Sequence, residues 1–239
     1  MRRARALTRR RSSLALALCV AMAVASCTAG KEEQEDGVPA AKVCDSSFSA
    51  DARNALGRIS TAGRYQESVL PLDKAVTRLR GHADTSTSRS TICTVHTAEQ
   101  SAQDPLFRIE FVHVDTGVVW PPALDPDDSY YPLGLYADSS DEQAFIAFRC
   151  SRGLRKNGPP VVAGVLEPDS RDPSVKLSDA ERRHAHMVML HSASRALAGK
   201  LGCLAEAGLP AKAPEPSPHR AYRKPPSLET LEREFAGDG

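Results

Sequence analysis

Several features are scarce in this 239-residue chain, and each scarcity excludes something. The longest apolar run, Leu14 to Ala25, falls short of the roughly 20 residues that a membrane-spanning helix needs. None of the six cysteines lies in a Cys-x-x-Cys pair, which favours a disulfide framework over a metal site. There is no Gly-x-Ser-x-Gly, no Ser-x-x-Lys and no glycine loop of the kind that cradles phosphate, so the usual local signatures of nucleophilic catalysis and nucleotide binding are missing. A catalytic triad needs no local motif, so an enzyme is made less expected, not excluded. With one Trp, 41% hydrophobic and 26% charged residues, the chain has the composition of an ordinary soluble globular domain with polar ends.

What is present begins at the N-terminus. Arg2, Arg3, Arg5, Arg9, Arg10 and Arg11 precede the apolar run, which has the length of a signal-peptide core. The run ends in Val24-Ala25-Ser26-Cys27, which resembles the bacterial lipobox: an aliphatic residue, two small residues and a cysteine that accepts a diacylglyceryl group before the signal is cleaved. Simple secretion is the alternative, since Ala23-Val24-Ala25 also fits a small-residue cleavage site. Cysteine parity argues against it, because losing only Cys19 would export five cysteines, whereas lipidating Cys27 leaves four that can all pair. Thr8-Arg9-Arg10-Arg11 faintly resembles a twin-arginine signal, but Ser12-Ser13 occupy positions where that motif wants apolar residues, so the export route stays open. Without the six signal arginines, 25 basic residues face 30 acidic ones, a balance near −5. That excess speaks against nucleic-acid binding and offers no polybasic grip on anionic lipid, so the expected membrane contact is the lipid on Cys27.

The expected organisation is a signal peptide over 1–26, a flexible acidic tether over 27–43, a disulfide-stapled domain over 44–209 and a Pro-rich tail over 210–239. Ala52, Leu56 and Ile59 behind a serine cap, and Leu72, Ala75, Val76 and Leu79 after Pro71, predict two short amphipathic helices. Thr91, Cys93 and Val95 alternate with Ile92, Thr94 and His96, and Phe107, Ile109 and Phe111 alternate with Arg108 and Glu110, as half-buried strands do. Asp115-Thr116-Gly117 reads as a turn into Val118-Val119-Trp120, and two more strands run from Phe145 to Cys150 and from Val161 to Leu166. Leu124 to Gln143 reads as a loop. Ser178 with Glu181 opens a long helix expected to reach about Ala207, with Met187, Leu190, Ala193, Leu197, Leu201 and Leu204 on one stripe. Cys203 lies off that stripe, so either the helix end is buried on two sides or Gly199 and Gly202 distort it. A last helix capped by Ser227, with Leu228, Leu231 and Phe235 on one face, reads as a loosely docked tail or as a partner-docking helix. The fold class is therefore α+β: an antiparallel sheet covered by short N-terminal helices and one long C-terminal helix.

Four cysteines, Cys44, Cys93, Cys150 and Cys203, allow three pairings; Cys44 with Cys93 and Cys150 with Cys203 is favoured because it ties each covering helix to a strand. His184, His186 and His191 lack the i, i+4 spacing of a helical metal pair, so no metal or other cofactor is expected. Asp125, Asp127 and Asp128, then Asp138, Asp141 and Glu142, read as solvated loops, since Tyr130 and Tyr136 stand where a calcium hand needs glycine and glutamate. Trp120, Tyr130, Tyr131 and Tyr136 form the candidate contact surface, because aromatics favour interfaces.

Cys44-Asp45 before a helix, Cys93 in a strand, Phe148-Arg149-Cys150 ending another and Gly202-Cys203 late in a helix resemble uncharacterised two-disulfide lipoproteins of actinobacteria. That resemblance implies display outside the cytoplasm on the outer face of the membrane, and no known reaction. The expected function is a lipid-anchored, non-catalytic envelope module that binds a protein partner or a small ligand. The alternative is an envelope hydrolase with dispersed catalytic residues, marked by a buried Ser or carboxylate beside His96, His113 or His186.

Overall fold

The computed structural model describes residues 37–81, 89–97, 104–114, 127–151, 154, 161–169 and 171–217. The signal region with Cys27, the turn and strand expected at Asp115 to Trp120, and the helix expected at Ser227 to Phe235 lie outside these residues. The described residues form β1 (Val38–Pro39), α1 (Ala50–Ile59), β2 (Arg64–Val69), α2 (Leu72–Gly81), β3 (Ser90–Thr97), β4 (Phe107–Val114), β5 (Ser129–Tyr130), β6 (Tyr136–Ser139), β7 (Ala144–Arg149), β8 (Val161–Pro168) and α3 (Asp179–Leu201). The fold is α+β, as expected: one eight-stranded antiparallel sheet and three helices.

The strand order β1-β2-β3-β4-β8-β7-β6-β5 is two antiparallel meanders joined through the β4–β8 pair. β4 and β8 pair along their whole lengths, from Phe107 with Pro168 to Val114 with Val161. On one face, Phe107, Ile109 and Phe111, Ile146 and Phe148, and Val162 and Leu166 share a core with Met187, Leu190, Ala193 and Leu197 of α3. On the other, Val114, Tyr136, Phe145, Ala147, Val161, Ala163 and Val165 form a second apolar cluster. Burial on both faces explains why Val161 to Leu166 reads as an unbroken apolar run and not an alternation. At the crossing point, a Cβ on Gly164 would lie 2.5 Å from the Phe111 ring and 3.3 Å from Leu190, so only glycine lets the helix and the ring approach the sheet.

Local chemistry sets most of the element ends. The Ser49 hydroxyl accepts from the Ala52 amide and starts α1, and Ser178 with Glu181 completes a capping box at the start of α3. The stripes expected in α1 and α2 are buried, with Ala55 joining Ala52, Leu56 and Ile59 in α1. α3 stops earlier than expected, at Leu201, because Gly202 takes a left-handed φ of +83° and the Cys203 amide turns back to the Ala198 carbonyl at 2.9 Å. That turn swings Cys203 off the helix axis onto Cys150 and leaves Leu204 exposed outside the core. The second bond joins Cys44 to Cys93.

Other expectations are corrected. A register shift between Thr91 and Cys93 places Ile92, Cys93, Val95 and Thr97 all in buried positions, so the simple alternation in β3 fails at the bulge. The stretch read as a loop contains β5 and β6, with Asp138 buried at 4% exposure among apolar neighbours. The tether ends sooner than residue 43, since Val38 and Pro39 pair with Tyr65 and Arg64, and the Arg64 guanidinium donates to the Gly37 carbonyl at 2.6 Å. The start of the Pro-rich tail also joins the sheet edge, where the Ser217 amide donates to the Tyr130 carbonyl at 2.7 Å.

Candidate functional site

The segment before α1 is held in an unusual backbone shape. Cys44, Asp45 and Ser46 have φ of 54°, 58° and 59°, three successive non-glycine residues in the left-handed region, each costing roughly 1 to 3 kcal/mol. Surrounding bonds hold them there. The Cys44 amide donates to Glu67 Oε2 at 2.7 Å, the Asp45 carboxylate accepts from the Leu72 amide at 3.0 Å, and Cys44 is tied covalently to β3. The turn carries the chain onto α3, where the Ser192 hydroxyl accepts from the Ser49 amide at 2.7 Å and donates to the Ser47 carbonyl at 3.0 Å.

This clamp forms a cleft of about 340 Å³ lined by Ser46, Ser47, Phe48, Ser49, His191, Ser192 and Arg195. Its volume lies at the lower end of the range for small-molecule sites. The Arg195 guanidinium donates to the Leu209 carbonyl, and no described carboxylate forms an ion pair with it. His191 is 3% exposed; its ring bonds the Pro210 carbonyl while Nε2 has no partner among the described residues. A ring donating from Nδ1 to a carbonyl presents Nε2 as an acceptor. Burial, then the nearby Arg195, lowers its pKa to about 4, so the imidazole is neutral at pH 7. The Ser47 hydroxyl, buried in the same wall, also lacks a partner among the described residues.

The arrangement combines hydroxyls, a cation and a neutral imidazole, and so suits a hydrogen-bonding, partly anionic ligand better than an apolar one. It is poorly built for base catalysis. Ser47 Oγ and His191 Nε2 do not bond each other, and an imidazole with a pKa near 4 is a weak base at neutral pH. No known protein family, curated protein or solved structure matches the chain. The site therefore rests on its own geometry.

Residues singled out in the sequence are placed differently. Tyr131 and Tyr136 are 0% and 1% exposed and Tyr130 is half-buried, so they do not make the expected contact surface; their rings fill space around β6. Tyr131 stacks on His184 with centroids 5.9 Å apart, and burial pushes its hydroxyl pKa well up. Trp120 lies outside the described residues. His184, His186 and His191 open onto three different cavities and do not converge. Among the described residues, the only grouping of His, Cys, Asp or Glu close enough to share an ion is Cys44, Glu67 and Cys93, whose sulfurs are already joined to each other. The two disulfides accord with an oxidising compartment outside the cytoplasm. No helix among the described residues is long and apolar enough to cross a membrane.

Sequence reasoning missed Ser47 and Arg195, and it considered His191 only as a metal ligand. Ser49 and Ser192 are separated by 143 positions, so no local motif announces the cleft. The one available signal was Cys44-Asp45 standing directly before a capping serine cluster.

Proposed function

We propose that the chain is exported, lipidated on Cys27 and held on the outer face of the cell membrane, in the manner of the two-disulfide actinobacterial lipoproteins it resembles, where its domain binds a small hydroxylated anion. The observation that carries the binding reading is the convergence of Ser46, Ser49, His191 and the carboxylate-free Arg195 on one cleft. The address is supported by the cysteine count: Cys44, Cys93, Cys150 and Cys203 are all paired with one another, which leaves only Cys19 and Cys27, both in the N-terminal region. Saturation-transfer NMR with hexose phosphates and uronic acids tests the ligand class. At least one compound gives transfer with the wild type and loses it with Arg195→Gln; silence across the panel for wild-type protein rejects the reading. Intact-mass analysis of membrane-extracted protein tests the anchor, with lipidated Cys27 expected as the first residue and Cys27→Ser expected in the soluble fraction. A native chain with an unmodified N-terminus would reject it.

A second reading, hydrolysis, is favoured by one observation: Ser47 Oγ and His191 Nε2 are both buried, both unpartnered among the described residues, and both belong to residues lining the cleft. A rotation bringing them together would form a nucleophile and base oriented by the Pro210 carbonyl. A fluorophosphonate probe that labels the wild type and not Ser47→Ala would establish it. Unlabelled wild type leaves the binding reading in place.

A further inference from the structure

A second polar cavity lies elsewhere along α3. The N-terminal half of that helix, the end of β8 and the turn between β6 and β7 enclose a crevice of about 70 Å³, with room for a few non-hydrogen atoms. Its walls carry Arg171, Arg182, His186, Asp141 and Asp169, with Ile59 on the apolar side.

The charges around it do not close. Asp169 is held by Arg108; Asp141 takes Arg183 at 2.8 Å and Arg171 at 3.9 Å; Asp179 takes Arg171 at 3.2 Å. Arg182 is left over. It is 8% exposed, its Nη2 donates to the Leu177 carbonyl at 3.4 Å, and no described carboxylate lies within ion-pair distance. Its Nε–H has no partner among the described residues. A guanidinium cannot shed its proton, and an uncompensated buried charge is strongly unfavourable, so this position calls for an anion. His186, 3% exposed and one helical turn further on, contributes a second buried nitrogen, Nδ1, also without a partner.

We propose that this crevice is a carboxylate-binding site, in which the Nε edge of Arg182 takes the two oxygens of one carboxylate and His186 Nδ1–H supplies a further donor. The planar edge of a guanidinium, offering Nε–H beside an Nη–H, matches the spacing of carboxylate oxygens. Asp141 and Asp169 in the same walls set the selectivity. Their charges are balanced by Arg183, Arg171 and Arg108, which permits a monovalent guest, but their oxygens oppose a divalent phosphate or sulfate. The small volume selects a short free acid or the terminal carboxylate of a chain with a small last residue. This site is separate from the Ser46–Ser49 cleft and does not depend on that reading.

The test is an NMR titration of the ¹⁵N-labelled protein, following arginine Nε–H signals as sodium acetate replaces sodium chloride at constant ionic strength. One signal, assigned to Arg182 by its disappearance in Arg182→Lys, moves saturably with acetate, and phosphate moves it at least tenfold less effectively at equal concentration. Arg182→Lys, which keeps the charge and loses the fork, weakens acetate binding at least tenfold as read from the remaining shifts. Acetylated alanyl peptides with free or amidated C-termini separate the two sources: a shift with the free acid alone marks a chain end, and a shift with acetate but neither peptide marks a free acid. Absence of a saturable shift in the wild type, or an equal shift from chloride or phosphate, overturns the proposal whether or not the variant folds.

Discussion

Asp138 offers the sharpest check on how this fold handles charge. It sits on the outer face of β6, 4% exposed, with Oδ1 lacking a partner among the described residues. Burial, and then the charge of Asp128, raises its pKa from an ordinary 3.8 to about 7. A raised folded-state pKa means that the native chain holds a proton that the unfolded chain releases. The resulting stability is fully present below pH 3.8 and is lost as the pH rises through about 7. Between pH 5 and 8.5 the loss integrates to about 3 kcal/mol. Asp138→Asn removes the ionisation and keeps the shape, so the variant gains about that much on the wild type across the interval. His186 and His191 act in the opposite sense. Both have pKa values lowered to about 4, chiefly by burial, so each is neutral when folded and takes up a proton on unfolding below about pH 6.5. Two such histidines less one aspartate give a net uptake of about one proton between pH 4.5 and 6, so these three groups alone contribute a loss of about 1.4 kcal/mol per pH unit on acidification. Without Asp138 the slope steepens by about another 1.4 kcal/mol per pH unit. Glu67, raised by burial, works in Asp138's sense but is common to both proteins and cancels in their difference. Urea denaturation at half-unit pH steps measures both curves. A wild-type to variant difference that stays constant from pH 5 to 8.5 refutes the reasoning.

Three other outcomes follow from particular contacts. Gly164→Ala drives a Cβ to 2.5 Å from the Phe111 ring and destabilises by about 1 to 3 kcal/mol in chemical denaturation, with Phe111→Leu restoring part of the loss. Replacing Cys150 and Cys203 with alanine opens a cross-link spanning 53 positions and costs about 4 kcal/mol by chain entropy, read as a lower urea midpoint; an unchanged midpoint contradicts it. Ser178→Ala removes the capping box of α3 and costs about 1 kcal/mol, whereas a loss below a few tenths would show that sheet packing alone fixes where the helix starts.

Elements whose burial follows a single period were legible in the sequence. Leu72, Ala75, Val76 and Leu79, and Phe107, Ile109 and Phe111, face the core because their spacing matches a helix and a strand. β2 was invisible for the opposite reason. Only Tyr65 of Arg64 to Val69 is buried, so the strand carries almost no apolar signal and is held by backbone pairing with β3. Cys203 stood off the helical stripe because the helix ends at Leu201, two residues before it: Gly202 supplies the left-handed turn, and the off-axis cysteine was itself the sign of that break. The tyrosines misled because a phenol ring satisfies an interface and a core equally well, and composition does not distinguish them.

The sites resisted for a deeper reason. Every group in the Ser46–Ser49 cleft or the Arg182 crevice is unremarkable in its own stretch of sequence: a serine before a helix, a histidine or an arginine on one. What singles them out is a lack, namely a buried hydroxyl, imidazole nitrogen or guanidinium Nε with no partner among the described residues, and a lack is a property of the assembled neighbourhood. The neighbourhood is assembled by α3, which is buried on several sides and so must bring polar residues inward along with apolar ones. Ser192 is satisfied by the strained turn at Ser47 and Ser49, whereas Arg182 Nε and His186 Nδ1 have no partner among the described residues where the helix crosses the end of β8. One helix therefore both closes the core and carries two places where the fold leaves polar groups available to a guest. A substitution that separates those roles, such as Arg182→Lys with its charge retained, is more informative than one that empties the core.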